Sequence, residues 1–266
     1  MPAPDAVADT LLLAAAVREA GAIARTYFGG SFKTWRKSDG NPVTDADIAV
    51  DRYLRTSLLA ARPDYGWLSE ESAEDPSRLQ KTRTFVVDPI DGTHGFLKGR
   101  PQFTIVAAVV EAGRPVSACV YNPITEELYD AVHRGGARCN GTGIQVRTAA
   151  DFSSARFLVT KAFLDPADWT SPWPAAVTAE TRASIAYRMA LIAEGKFDVM
   201  VSLSEKSDWD LAAGDLIAQE AGALVTDGEG RLLSYNGAVP RQGSVVCAPP
   251  ELHRRMLARL KDRVKP

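Results

Sequence analysis

Histidine and cysteine are scarce in this chain, with three of each in 266 residues. Cys119, Cys139 and Cys247 are odd in number and lack the paired spacing of a zinc site, so they read as reduced, structural thiols. His94, His133 and His253 each read as surface or packing residues more readily than as catalytic ones, which leaves no obvious nucleophile and base pair. Only His94, next to Thr93, falls in a motif. An excess of one charge is also missing, with Lys+Arg 31 against Asp+Glu 33, which argues against a groove for a nucleic-acid polymer and against a polybasic membrane patch. The apolar run at 11–17 is too short to span a bilayer and has no Lys or Arg before it, so it is not read as a signal peptide. The expected location is the cytoplasm. No internal repeat, low-complexity segment or long linker divides the chain, whose length allows about three quarters of its unfolded surface to be buried.

What is present is organised around residues 85–93. Phe85, Val86 and Val87 form a continuous apolar run, as in a strand covered on both faces, and Pro89 stops it. Asp88 and Asp91, three apart around a turn, can face one point, and grouped carboxylates suit Mg²⁺ better than zinc or copper. Gly92 and Thr93 add a phosphate cradle if a helix starts at Thr93. Taken alone the stretch reads equally well as a turn, because Asp-Pro and Asp-Gly are common turn dipeptides.

Around this centre the periodicity predicts a helix over 9–28 ended by Gly29 and Gly30, a strand over 32–37 and a turn cluster at 38–42. A second helix should start at Thr44 or Asp45, with Asp45 kept as a cap and Asp47 as a first-turn acid. A short strand at Trp67 and Leu68 presents Glu70, and the polar stretch 74–81 reads as a mobile loop. The runs 103–110 and 115–121 form a hairpin, followed by a strand at 128–132 and a glycine-rich turn at 134–141. From Asp151 the pattern becomes βαβ-like: strand 156–160, loop 165–174, helix 184–193, strand 198–202 and helix 209–221, with Asp210 in its first turn. Strands at 224–226 and 244–248 and a terminal helix follow. Two halves, 1–150 and 151–266, are expected to be packed as one unit.

Glu70 and Glu71 upstream, the Trp209-Asp210-Leu211-Ala212-Ala213-Gly214 run downstream and Asp45-Ala46-Asp47 near the N-terminus complete a pattern. From about Lys37 to about Gly222 the sequence resembles the inositol monophosphatase superfamily of Mg²⁺-dependent, lithium-sensitive phosphomonoesterases. The resemblance implies a mixed α/β fold, a layered α-β-α-β-α sandwich, and hydrolysis of a small phosphorylated substrate by metal-activated water. It implies two Mg²⁺ ions, with a third also conceivable at Glu70. One would be held by Glu70, Asp88 and the Ile90 carbonyl, the other by Asp88, Asp91 and Asp210. Thr93, polarised by Asp47, would partner the attacking water, with either that dyad or Glu70 taking its proton. A homodimer is a further expectation of the same kind.

A covalent aspartyl route, as in haloacid-dehalogenase phosphatases, fits poorly, since their acids are separated by one residue and two lie between Asp88 and Asp91. A silent Mg²⁺-binding scaffold would be expected to lack Thr93 or one of the acids, and here all are present. Inositol-selective relatives place a glutamate where Leu203 stands, and that departure, with His94 to Gly99 and Ser204 to Asp208, resembles bacterial 3′(2′),5′-bisphosphate nucleotidases. The expected reaction is adenosine 3′,5′-bisphosphate to AMP and phosphate, with inositol-1-monophosphatase and histidinol-phosphatase as alternatives. A second anionic group needs a cation away from the metals, for which Lys206 is the first candidate and Lys98 the second, with His94 lining the pocket.

Overall fold

The computed structural model describes residues 1–37, 40, 42–73, 75–148 and 151–264. Ser38, Asp39 and Asn41 of the predicted turn, Glu74 of the predicted loop and the boundary at 149–150 lie outside the described residues. The first helix, α1 (Pro4–Tyr27), starts earlier than the apolar period suggests, because its first turn is made by helix-start chemistry, Pro4 followed by Asp5. Leu13, Ala16, Val17, Ala20 and Ala24 form its buried stripe. A two-stranded antiparallel ribbon of β1 (Thr34–Arg36) and β2 (Pro42–Thr44) leads into α2 (Asp45–Ala61). The cap of α2 is Thr44, in a capping box with Asp47. Asp45 instead accepts the Lys33 N–H at 2.9 Å and so ties the preceding loop to the helix start.

The larger sheet has the order β3-β4-β5-β6-β7-β8-β9, with β3 (Gly66–Ser69) parallel to β4 (Arg83–Asp91) and the others antiparallel: β5 (Thr104–Glu111), β6 (Arg114–Asn122), β7 (Glu127–Val132), β8 (Gly136–Cys139) and β9 (Thr142–Gly143). Alternate residues face opposite layers. Phe85, Val87, Ile105 and Val109 meet α1 and α2, whereas Val86, Val106, Ala108 and Val120 belong to the core on the other side. Both faces of β4 are therefore covered, which is why its sequence is apolar without alternation. The strand does not stop at Pro89 as expected: β4 runs through the proline to Asp91, where the pairing with β5 slips in register but resumes at Asp91 opposite Thr104, and the one-turn α3 (Thr93–Leu97) follows.

The second sheet is five-stranded, in the order β11-β10-β12-β16-β14. Its members are β10 (Arg156–Leu158), β11 (Thr178–Glu180), β12 (Val199–Ser202), β14 (Leu224–Thr226) and β16 (Val245–Ala248), while β13 (Lys206–Ser207) and β15 (Arg241–Gln242) pair separately as a short ribbon. Helices α4 (Ile185–Ala193) and α5 (Asp208–Glu220) fill the space between the two sheets, and α6 (Pro250–Leu260) covers the outer face of the second through Leu252 and Met256. The layering is the expected α-β-α-β-α sandwich.

Three local expectations need correction. Residues 76–80 are a 3₁₀ turn and not a mobile loop, because Arg78 turns inward and is 1 % exposed. Strand β8 runs through the glycine-rich turn, whose backbone role shows as positive φ at Arg134, Gly136, Asn140 and Gly141. Strand β11 has no apolar run to announce it, since Thr178 and Glu180 are exposed.

Candidate active site

Residues that lie far apart in the chain meet where β4 ends. Asp88 is fixed by its own turn: the Ile90 N–H donates to its Oδ1 at 3.0 Å. Gly92 follows with φ 97°, and a Cβ there would meet the Ser184 nitrogen at 2.9 Å, so only glycine suits this position. The first turn of α5 brings Asp210, whose Oδ2 accepts the Ser207 N–H at 2.9 Å. One carboxylate oxygen from each of Asp88, Asp91 and Asp210 lies within 4.8 Å of the others, and no other such trio occurs among the described residues.

Asp91 is held by a residue that sequence reasoning did not select. The Ser184 hydroxyl donates to Asp91 Oδ2 at 2.6 Å, and the Ile185 and Ala186 N–H groups donate to the same carboxylate at 3.2 and 2.8 Å. Asp91 thus occupies the N-terminus of α4, where an anion is favoured. Ser184 was legible as a helix start, but not the partner it serves across the chain.

Burial raises all three carboxyl groups. Asp88 is pushed well above the usual range by burial and by Glu70, Asp91 and Asp210. Asp91 is raised to about 6 by burial, against the hydrogen bonds from Ser184 and α4, and Asp210 to about 7 by burial and by Asp91. Three acids that oppose one another's ionisation in a buried, all-oxygen cluster have the donor chemistry of a site for a hard divalent cation.

Glu70 stands in the same cleft but outside the trio. Lys37, another residue not singled out as functional, binds Glu70 Oε1 at 3.0 Å and Glu71 Oε1 at 2.7 Å. Glu71 is raised to about 7 by burial, against its hydrogen bond from Lys37. On the other side, Thr93 Oγ1 lies 3.1 Å from the Ile90 carbonyl and 3.4 Å from Asp47 Oδ1. Asp47 Oδ2 is occupied by the Thr44 N–H and hydroxyl at 2.8 and 2.6 Å, so only its other oxygen faces the threonine. Burial lifts Asp47 to about 6, against its hydrogen bonds from Thr44.

Asp88, Asp91, Asp210, Glu70, Lys37 and Thr93 line a cleft of about 510 Å³, with Asp47 buried behind Thr93. His94 and Lys206 stand on its wall, as does Arg241, which sequence reasoning missed because it is brought in only by the pairing of β15 with β13. Lys98 does not join them, since it caps the far end of α3 and is exposed. Lys206 Nζ rests on Ser204 Oγ at 2.9 Å, and Arg241 pairs with Glu205 at 2.6 Å.

A five-layer sandwich with carboxylates gathered between a strand end and a helix start is a metal-site architecture, and comparison gives it a family. The inositol monophosphatase family model matches residues 7–265, and the chain belongs to this family. An inositol-1-monophosphatase of Rhizobium meliloti is 33% identical over 218 residues, 79% of this chain and 79% of that protein. The 3′(2′),5′-bisphosphate nucleotidase CysQ of Salmonella typhimurium is 35% identical over 230 residues, 82% of this chain and 90% of that protein. The crystal structure of the extragenic suppressor protein suhB from Bartonella henselae superposes with a TM-score of 0.83 at 26% identity, covering 96% of this chain and 98% of that one. No helix among the described residues is long and apolar enough to cross a membrane.

Proposed function

We propose that the chain is a Mg²⁺-dependent phosphomonoesterase acting on adenosine 3′,5′-bisphosphate, releasing the 3′-phosphate and AMP. The convergence of Asp88, Asp91 and Asp210 carries the reaction class. These acids, with the Ile90 carbonyl and Glu70, would hold two cations, or three if Glu70 keeps a further one. When bound, the cations supply Lewis acidity, neutralising the phosphoryl oxygens and acidifying water. The chain's own contribution is to hold and move a proton. Thr93 Oγ1 accepts a hydrogen bond from the attacking water and turns its own proton toward Asp47 Oδ1, 3.4 Å away. Asp47, raised to about 6 by burial, is a stronger base than an exposed carboxylate would be. The Thr44 contacts leave its other oxygen no freedom to rotate away.

The substrate reading rests on the β13–β15 ribbon beside the acids. Lys206 and Arg241 put two cations on the cleft, Leu203 stands where inositol-selective relatives carry an acid, and a relative at 35% identity is named a bisphosphate nucleotidase. A relative at 33% identity is named an inositol-1-monophosphatase, which makes that activity the second reading. A phosphate-release assay on both substrates decides between them. Better turnover of inositol 1-phosphate would move the assignment, and release from neither of them nor from histidinol phosphate or fructose 1,6-bisphosphate would defeat the enzyme reading. Substrate made chiral at phosphorus should react with net inversion, whereas retention would signal a phospho-aspartate route.

A further inference from the structure

Arg78 and Asp208 are buried side chains of opposite charge, 1 % and 0 % exposed, to which the reaction above gives no part. They do not touch in a simple ion pair. The Arg78 guanidinium donates to the Asn236 side-chain oxygen at 2.6 Å and to the Gly237 carbonyl at 3.0 Å. Asn236, held at φ 61°, donates its N–H to Asp208 Oδ2 at 2.6 Å and its side-chain amide to Thr84 on β4 at 3.1 Å. The other Asp208 oxygen accepts from Gln242 at 2.9 Å, and the Asp208 N–H closes on the Pro240 carbonyl at 3.0 Å. The segment 236–242 is therefore stitched at one end to Arg78 and the larger sheet, and at the other to the first turn of α5.

That segment carries β15, which sets Gln242 opposite Lys206 and Arg241 opposite Ser207. A pairing of two residues on each strand cannot hold a ribbon in place by itself. We propose that Arg78 is a positioning residue. Through Asn236, Asp208 and Gln242 it fixes where the β13–β15 ribbon stands over the acid cluster, and so how tightly the site grips the part of a substrate beyond the scissile phosphate. Arginine suits this task because its planar fork serves several acceptors at once in fixed directions, which a lysine ammonium does not. Without it, Asp208 stays buried without its distant countercharge, and the Asn236 and Gly237 oxygens lose their donor.

The test uses the full chain with Mg²⁺ and three variants, Arg78→Met, Arg78→Lys and Gln242→Met. Amide hydrogen exchange in peptides covering 204–208 and 239–243 should accelerate about tenfold in Arg78→Met, with protection elsewhere retained. KM for adenosine 3′,5′-bisphosphate should rise about tenfold with kcat changed less than about twofold, while both parameters for inositol 1-phosphate stay near the unmodified values. Arg78→Lys should recover part of the effect. If Arg78→Met does not fold, Gln242→Met, which cuts the same chain at its outer end, must show the same pattern more weakly. Unchanged exchange in the ribbon peptides, or equal losses on the two substrates, would overturn the assignment. The kinetic comparison rests on the proposed substrate. If the unmodified enzyme ignores the bisphosphate, that reading fails by itself and the exchange data still decide the role of Arg78.

Discussion

The two walls of the cleft are built by opposite rules. On the acid wall, Asp88 and Asp91 are 1 % and 5 % exposed, and all three clustered carboxylates accept backbone N–H groups from a turn or a helix start. On the adjoining wall, Lys206 and Arg241 sit on a two-residue ribbon, and the Arg241 side chain is 53 % exposed. In the proposed reaction the acid wall would meet what every phosphomonoester shares, and its burial leaves it little room to vary. In that reading the β13–β15 ribbon would meet what differs between esters, and its half-exposed cations can change residue by residue at small cost to the fold. Changes to the ribbon's own cations would therefore be weakly coupled to stability, whereas changes to the acids or to the buried Arg78–Asp208 network behind the ribbon would be tied to it.

The contrast can be broken experimentally, starting where the effect is largest. Chelation of divalent ions, or Asp88→Asn, Asp91→Asn or Asp210→Asn, should lower kcat/KM by about 10³-fold or more, as expected when several kcal/mol of charge stabilisation is removed. Retained turnover in excess chelator would make the acid wall structural only. Thr93→Ala should lower kcat by about 10²-fold with the Mg²⁺ half-saturation unchanged, because its hydroxyl is assigned to the water. A parallel loss of Mg²⁺ affinity would put Thr93 among the metal-holding groups instead.

On the other wall, Lys206→Ala and Arg241→Ala should each raise KM for adenosine 3′,5′-bisphosphate about tenfold, the worth of one charge-assisted contact, and leave KM for inositol 1-phosphate within about twofold. Equal shifts would mean that these cations attract any anion without recognising a second phosphate. The smallest effect sharpens the comparison from behind. Ser184→Ala removes both the cap of α4 and a donor to Asp91, and should cost about 1–2 kcal/mol in denaturant unfolding. A neutral result would show that α4 alone holds Asp91.

How much of this was legible in sequence follows the same division. Asp88, Asp91 and Asp210 could be read because each sits at a local irregularity, a strand end kinked around Pro89 or a helix start, that leaves a mark in neighbouring residues, although the strand runs on through the proline to Asp91. Thr44 and Asp47 were legible for the same reason, although the cap proved to be Thr44 and not Asp45. Lys37, Ser184 and Arg241 were missed as site residues because each owes its position to a partner distant in the chain, and one lysine or arginine in a polar stretch looks like any other. Lys98 was selected by its nearness to Thr93 in sequence, but one helical turn is enough to carry it away from the cleft. Arg78 shows the converse, since a polar segment that reads as a loop becomes ordered when its arginine finds buried acceptors.

Helix α5 has a consequence for how the chain can be made. Its Leu211, Leu216 and Ile217 share a core with Val86, Val106 and Val120 of the larger sheet, and its first turn delivers Asp210 to the acids at the end of β4. During synthesis the whole larger sheet leaves the ribosome before α5 exists, with one apolar face uncovered and the acid cluster short of a member. No fragment ending before α5 can assemble the full trio of acids. The step that shields the nascent sheet from aggregation is thus the same step that completes the acid cluster, and a shielded chain is already one able to acquire its cations.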